Sequence, residues 1–226
     1  ATGEQASSAL LAIALQAEGM QSVSYAGWQV PIRTNSAYTK ARIESIDDKR
    51  VRADLDAGRV VIITGFQGMD DDGNITTLGR GGSDTSAVAV AAALKAKECL
   101  IYTDVDGVYT TDPRVVPKAH RMDKVAFEEM LELASQGAKV LQVRSVELGM
   151  VHKVRIFVRS SFDKPEDIDP RVDPPGTLIC DEEDIVEQQV VTGIAFSKDE
   201  AQISVRHVPD KPGVAAAIFG PLADAS

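Results

Sequence analysis

The sequence has few cysteines, fewer basic than acidic residues and no long apolar run. Its only cysteines, Cys99 and Cys180, lack the spacing of a metal or redox site, so we expect reduced core thiols in a cytoplasmic protein. The 24 basic and 34 acidic residues give a net charge of -10, which argues against nucleic acid or an anionic membrane as a partner. We expect neither a signal peptide nor a membrane-spanning helix.

The stretch 78–87, Leu-Gly-Arg-Gly-Gly-Ser-Asp-Thr-Ser-Ala, predicts the end of a strand, a glycine loop and a helix N-terminus. Its glycines permit a tight turn and close approach of a ligand, and Ser83 and Asp84 are favoured helix N-caps. The unpaired N–H groups of a helix start bind anions. The spacing matches neither a Walker loop nor the dinucleotide fingerprint, and a loop that only turns the chain remains an alternative.

Alternating strands and helices predict an α/β fold with a mostly parallel sheet flanked by helices. We predict strands at 22–25, 41–46, 60–65, 99–103, 154–160 and 177–180, and helices up to Gly19 and at 51–57, 86–97 and 127–136. In the first helix, Leu10, Leu11, Ala14 and Leu15 form the predicted apolar face. The β-branched run 60–65 predicts a central strand covered on both faces.

The glycine loop, the helix after it and the strand 99–103 predict a βαβ unit, whose ligands bind beyond the carboxyl ends of its strands. The following loop, 104–114, is rich in carboxylates and hydroxyls, and two successive turns, Asp-Gly and Asp-Pro, remain an alternative explanation. The run 70–74, Asp-Asp-Asp-Gly-Asn, could suggest calcium. An EF-hand loop would need glutamate at position 81, which is glycine, so we predict a solvated hairpin tip.

The composition of the sequence changes after residue 180. An acidic linker at 181–184 precedes predicted strands at 190–196 and 201–208, a turn at 210–213 and a final helix. We therefore expect two domains, 1–183 and 184–226, of which the second is the truncated start of a small domain. Because no initiator methionine or strand precedes the first helix, we expect the chain to be an internal fragment.

Three ordered motifs, at 76–85, 102–114 and 137–141, resemble those of the bacterial aspartokinases, and 208–214 resembles the start of an ACT regulatory domain. The resemblance implies an amino-acid-kinase fold followed by the incomplete start of an α+β ACT domain. It implies transfer of the γ-phosphoryl of ATP, with Mg²⁺, to the β-carboxylate of L-aspartate. The product, 4-phospho-L-aspartate, is the first intermediate toward lysine, threonine and methionine.

The resemblance also implies roles for individual residues. It places substrate binding at Glu4, Arg80, Gly81, Gly82 and Ser83, and catalysis at Asp84 and Lys139, with no metal ligand. It places ATP at Thr103, Asp104, Tyr109, Thr110, Thr111, Asp112, Pro113, Arg114, Lys139 and Val140. It places an effector, lysine or threonine or both, at Asp210, Lys211, Pro212, Gly213, Val214 and Ala215, and implies a homo-oligomer formed through ACT domains.

Other interpretations stay open from the sequence. Glu4 could simply complement a helix dipole, and Lys139 could be a surface charge. The aspartokinases begin with a Lys-Phe/Tyr-Gly-Gly-Thr loop that has no counterpart here, so we expect the 226-residue chain alone to be inactive. The alternatives are a different amino-acid kinase, acting on acetylglutamate, glutamate or UMP, and a non-catalytic regulatory chain that binds amino acids.

Overall fold

The computed structural model describes residues 1–138, 140–164, 166, 175–185, 192–196, 211–214, 216–217 and 219–220. The chain divides into two compact units, residues 1–196 and 197–226. In the second unit, the described residues form a turn at Pro212 and Gly213 followed by helical residues from Val214, as predicted for the end of the chain. The predicted strand 201–208 lies outside the described residues. No helix in the described parts is both long and apolar enough to cross a membrane.

The first unit contains helices and strands in alternation. The helices are α1 (Thr2–Ala17), α2 (Lys49–Asp56), α3 (Gly82–Leu94), α4 (Phe127–Ser135) and α5 (Val143–His152). The strands are β1 (Ser22–Tyr25), β2 (Ile32–Thr34), β3 (Ile43–Ile46), β4 (Val60–Ile63), β5 (Gln67–Met69), β6 (Ile75–Thr77), β7 (Glu98–Thr103), β8 (Lys124–Ala126), β9 (Arg155–Ser160) and β10 (Thr177–Cys180). The predicted α/β class is confirmed.

The main apolar core lies on a four-stranded sheet of order β7-β9-β10-β8. Strands β7 and β9 run parallel, as do β10 and β8, while β9 and β10 are antiparallel. Phe127, Met130 and Ile156 are among its fully buried side chains, and α3 and α4 both pack against α5. Because β7 and β9 are parallel, their carboxyl ends at Thr103 and Ser160 meet at one edge, where a ligand site is expected.

The prediction of a central strand at 60–65 is wrong. Among the described strands, β4 pairs only with β1, and Val60 is 39% exposed. A β-branched run indicates strand propensity, but burial depends on which segments pair beside it. The predicted βαβ unit is wrong as well. The strand before the glycine loop is β6, which belongs to a sheet of order β3-β2-β5-β6. Helix α3 then leads to β7, which belongs to a different sheet, so β6 and β7 do not pair in one βαβ unit.

Helix α1 forms as predicted but buries a different face. Its buried residue is Ala12, whose carbonyl accepts a hydrogen bond from Ser22 Oγ at 2.7 Å, whereas Leu10 and Leu11 are 65% and 51% exposed. Apolar residues occur on more than one side of this helix, so periodicity alone does not determine which side packs. Residues 192–196, the described part of the predicted strand 190–196, are not in a strand.

The hairpin tip predicted at 70–74 is confirmed between the antiparallel strands β5 and β6. Asp71, Asp72 and Gly73 are exposed there, whereas Asp70 is buried and accepts a hydrogen bond from Asn74 N at 2.8 Å. The Asp70 carboxylate therefore closes the turn from inside instead of being solvated with its neighbours.

Candidate functional site

The glycine loop makes a tight turn into α3. Gly79 and Gly81 have φ values of 81° and 67°, in the left-handed region that glycine tolerates, and Gly82 N donates to Gly79 O at 3.0 Å. Gly81 is the N-cap, so the predicted capping role of Ser83 and Asp84 is wrong, and both lie in the first helical turn. No side chain caps this helix. Gly82 N–H is used within the turn, and the N–H groups of Ser83 and Asp84 are therefore the ones suited to an anion.

The loop needs glycine for a second reason, which is close packing. A Cβ atom at Gly81 would lie 1.8 Å from Gln142 Cγ, and one at Gly82 would lie 2.8 Å from Phe66 Cδ2. Gln142 is the N-cap of α5, so the start of α5 lies directly against the start of α3. A larger residue at 81 would force these two helix starts apart, and one at 82 would collide with Phe66 and Leu78.

A pocket of about 450 Å³ opens at this junction. It is lined by Arg80, Gly81, Asp84, Ala134, Gly137, Val140 and Gln142. The structure thus brings together four predicted site residues, Arg80, Gly81, Asp84 and Val140, from two distant stretches of sequence. Burial raises the pKa of the Asp84 carboxyl, as expected for a partly desolvated acid. A guanidinium, a carboxylate and a helix N-terminus therefore meet around one cavity.

The start of α5 also holds the first residue of the glycine loop. Arg144 Nη1 donates to Leu78 O at 2.7 Å, and its Nη2 donates to Ala41 O at 3.0 Å. Leu78 is 1% exposed, and its N–H donates to Phe66 O at 3.0 Å. The position of Leu78 is therefore fixed, and the glycine loop runs from this residue to the pocket.

The candidate ATP loop, residues 103–114, follows β7 at the carboxyl edge of the main sheet. At its base Val108 N donates to Thr177 Oγ1 at 2.8 Å, and Thr177 Oγ1 donates to Met122 O at 2.6 Å. Further along, Thr110 N donates to His120 O at 3.0 Å. The buried hydroxyl of Thr177 thus ties the loop to the start of β10.

Asp112 and Arg114 form a two-pronged pair at the exposed side of this loop. Arg114 Nε and Nη2 donate to the two carboxylate oxygens of Asp112 at 3.0 and 2.8 Å. These hydrogen bonds raise the pKa of the Arg114 guanidinium, whose side chain is 88% exposed. A guanidinium binds phosphate in the same bidentate manner as carboxylate, which suits Arg114 to a nucleotide.

Residues 192–196 connect the loop with the helix beside the pocket. Ile194 N donates to Thr110 O at 2.8 Å, and a Cβ at Gly193 would lie 3.2 Å from both Thr110 O and Leu133 Cδ2. Leu133 directly precedes Ala134, which lines the pocket. Residues 192–196 therefore lie between the candidate ATP loop and α4, while no residue of that loop lines the pocket itself.

Other predicted site residues lie elsewhere. Glu4 is exposed in the first turn of α1, and its neighbour Gln5 donates to Gln67 Oε1 at 2.9 Å. Gly82 and Ser83 are in the first turn of α3, beside the pocket residues. Lys139, Asp210 and Ala215 lie outside the described residues, and 211–214 belong to the second unit.

Sequence reasoning missed Gln142, Arg144 and Thr177. All three act through contacts with segments far away in the chain, and the residues next to them in sequence do not indicate those contacts. The available signal for the first two was their position just after the motif 137–141.

Known proteins are similar to this chain along its whole length. The model of the amino acid kinase family matches residues 1–160. The chain is 60% identical to an aspartokinase of Pseudomonas aeruginosa over 227 residues, covering 100% of this chain and 53% of that protein.

Two solved structures are similar as well. E. coli aspartokinase III in complex with aspartate and ADP matches 79% of this chain and 39% of its own, with 38% identity and a TM-score of 0.70. The same enzyme in complex with lysine and aspartate matches 98% of this chain and 49% of its own, with 30% identity and a TM-score of 0.73.

The α/β fold and the uncapped start of α3 at the pocket define the class of protein, and the chain belongs to the amino acid kinase family. Within that family its similarity is to the aspartokinases, which confirms the resemblance seen in the motifs. The chain spans about half the length of the curated relatives it matches.

Proposed function

We propose that this chain provides the kinase part of an aspartate kinase, an enzyme that transfers the γ-phosphoryl of ATP to the β-carboxylate of L-aspartate. The observation that carries the proposal is the pocket, where Arg80 and the start of α3 face the segment around Val140. The relatives support it, since the E. coli neighbours were solved with aspartate, and one of them also with ADP.

The acceptor is held by groups complementary to its charges. The Arg80 guanidinium pairs with a carboxylate of aspartate, and the N–H groups at the start of α3 receive a second anionic group. Glu4 is assigned to the ammonium group, with support from the resemblance. The acceptor carboxylate is ionised at neutral pH because its pKa is about 4, so no general base is required.

The reaction forms one bond and breaks one. A β-carboxylate oxygen bonds to the γ-phosphorus, the bond to the bridging oxygen of ADP breaks, and ADP leaves with the electron pair. Transfer of this kind depends mainly on positioning and on neutralising charge. We assign the neutralising charge to Lys139, and we assign Asp84 to orienting the cations of the site.

The ATP assigned here would lie against the 103–114 loop and Val140, and would supply the phosphoryl group. Mg²⁺ is bound in proteins by one or two carboxylates together with phosphate oxygens and water, so Asp84 fits it. Among the described residues, no group of three or more histidine, cysteine or acidic side chains could hold a metal ion alone. We therefore propose that Mg²⁺ enters with the nucleotide.

We further propose a cytoplasmic homo-oligomer regulated by lysine or threonine at the effector residues 210–215, assembled through ACT domains. Its support is the sequence resemblance at 208–214 and the lysine complex of E. coli aspartokinase III.

The test is an acceptor panel on the intact protein that carries this sequence. It is supplied with MgATP, hydroxylamine and, separately, aspartate, glutamate, acetylglutamate or UMP, and both ADP and hydroxamate are measured. We expect ADP and hydroxamate to form together with aspartate alone. Preferred turnover of another acceptor would identify a different amino-acid kinase. Isothermal titration with aspartate, lysine and threonine accompanies the assay, and amino-acid binding without ADP formation would identify a regulatory chain.

A further inference from the structure

We propose that Arg144 is a positioning residue, which holds the glycine loop 78–81 in the conformation that binds the acceptor. The inference rests on the proposed function for the identity of that acceptor. Arg144 does not line the pocket, so it would act through the loop and not by touching the substrate.

The contacts of Arg144 join two segments that lie far apart in the sequence. Its guanidinium donates to Leu78 O at 2.7 Å and to Ala41 O at 3.0 Å. The same two segments are joined next to it, because Ala41 N donates to Thr77 O at 2.9 Å. A planar guanidinium presents several donors in a fixed fork and can serve two carbonyls at once, which the single ammonium of lysine does less well.

The carbonyl of Leu78 controls where the loop goes next. The side chain and N–H of Leu78 are already fixed, the first by burial and the second by Phe66 O. Gly79 follows with φ of 81°, and a glycine permits many backbone directions. Among the hydrogen bonds of the described residues, the one from Arg144 to Leu78 O holds the Leu78–Gly79 peptide, and therefore directs the chain to Arg80.

The start of α5 contacts the loop at its other end too. Gln142, two residues before Arg144, packs on Gly81 and lines the pocket with Arg80 and Asp84. Ser145 Oγ donates to Gln142 O at 2.7 Å and stabilises this helix start. The N-terminus of α5 thus contacts the loop at Leu78 and at Gly81. In the sequence α5 directly follows the motif 137–141, which contains the residues assigned to ATP.

The kinetic test uses the intact protein with Arg144→Lys and Arg144→Ala. We expect each to raise the KM for aspartate by about tenfold or more, while the KM for ATP changes by less than about twofold. Millimolar guanidinium chloride should lower the aspartate KM of Arg144→Ala by refilling the vacated site, and should not do so for wild type. The matched control is Arg155→Ala. Arg155 is exposed at the first residue of β9, away from the carboxyl edge of the sheet, and we expect neither KM to change in this variant.

A second readout does not depend on activity. Hydrogen exchange should accelerate at the amides of residues 79–83 in Arg144→Lys, with the last turn of α5 unchanged, and Arg155→Ala should match wild type. Unaltered aspartate KM with unaltered loop exchange would overturn the inference. Equal rises in both KM values, with faster exchange across the whole first unit, would show a merely structural role and overturn it too.

The two proposals fail separately. An intact wild-type protein that leaves aspartate unphosphorylated would count against the proposed function, and loop exchange in Arg144→Lys would still decide whether Arg144 positions the loop. Normal phosphorylation of aspartate with an unchanged KM in both Arg144 variants would count against the positioning role alone.

Discussion

Asp84 carries a partly buried carboxyl in the first turn of α3, at the edge of the pocket. Burial raises its pKa, which means that its ionised form is held at a cost to folding. Residues kept in such a state often serve function instead of stability.

We predict that Asp84→Asn lowers kcat by roughly a hundredfold, because the carboxylate that orients the cations is lost. Its melting temperature should equal or exceed that of wild type at neutral pH. The folded-state pKa is raised, so the penalty removed by asparagine is absent below the unfolded pKa of about 4 and grows as pH rises through the folded-state pKa. Rates at pH 7 and melting curves from pH 4 to 8 test this.

The control for this prediction is Asp72→Asn, which changes an exposed aspartate at the hairpin tip and should alter neither quantity. Unchanged kcat in Asp84→Asn would remove this carboxylate from the catalytic site.

Several pocket residues could be predicted from the sequence, and the reason is local. Arg80, Gly81 and Asp84 lie within one short run whose glycines and helix start indicate an anion site without knowledge of the rest of the fold. Gln142 and Arg144 could not be predicted, because their importance lies in contacts 61 residues or more away along the chain. No spacing rule connects a helix start to a loop carbonyl at that distance.

At the scale of elements, the junction of α3 and α5 depends on the absence of a side chain at Gly81. We predict that Gly81→Ala lowers stability more than Gly73→Ala and also raises the aspartate KM. Both glycines have positive φ, but a Cβ at Gly73 meets nothing within 4 Å, whereas one at Gly81 meets Gln142. Gly73→Ala should therefore cost only the backbone strain, about 1 kcal/mol.

Chemical denaturation of both variants measures this difference. Adding Gln142→Ala to Gly81→Ala should recover part of the lost free energy of unfolding, because the clashing Cγ and Cδ atoms of Gln142 are removed while its Cβ remains. Equal destabilisation by the two glycine variants would contradict the close packing of α5 on the loop.

Helix α2 is attached to β1 through the carboxylate of Asp54. Tyr25 Oη donates to Asp54 Oδ2 at 2.6 Å, and Arg59 Nη1 donates to Asp54 Oδ1 at 2.7 Å. The Tyr25 hydrogen bond and the Arg59 charge outweigh burial and lower the pKa of Asp54. The stability that follows is present above the unfolded pKa of about 4 and is lost as pH falls through the lowered folded pKa.

We therefore expect Asp54→Asn to lower the melting temperature at pH 7 by roughly 3 °C, with a smaller difference from wild type below pH 4. Asp56→Asn, an exposed aspartate on the same helix, is the control and should melt with wild type. A pH-independent difference would show that the charge of Asp54 contributes nothing.

The predictability of elements followed their length. Helices α1 to α4 and strands β1, β3, β4, β7, β9 and β10 could be predicted, since each has a period or an apolar run to mark it. Strands β2, β5, β6 and β8 span three residues each, which is too short for a period to show. Helix α5 was not predicted, and it carries a glycine, Gly149, inside its span.

On the scale of the whole molecule, the sequence indicated the α/β class but not the division into three sheets among the described strands. Pairing between strands is decided by contacts across long stretches of chain, as between β2 and β5, which run parallel. The run 60–65 had the composition of a central strand, yet its described neighbour is β1 alone. An apolar composition shows that a strand can be buried, whereas the strands that pair beside it determine how much of its surface is buried.

The expected effector site also belongs to this scale, because it lies in the second unit. We predict that Asp210→Ala raises the concentration of lysine or threonine needed for half-inhibition by roughly tenfold. The reason is loss of the carboxylate assigned to the effector ammonium group. Inhibition curves of the intact protein, each normalised to the rate without effector, test this. Curves that coincide with wild type would place the effector elsewhere.

The central claim is that the pocket beside α3 holds the acceptor through Arg80, and its most direct test is the aspartate dependence of Arg80→Ala in the intact protein. We predict that the KM for aspartate rises by roughly a hundredfold while the KM for ATP stays within about threefold, because the lost charge pairs with the acceptor carboxylate. Arg155→Ala, assayed alongside, should leave both values unchanged. An unchanged aspartate KM in Arg80→Ala would contradict the account.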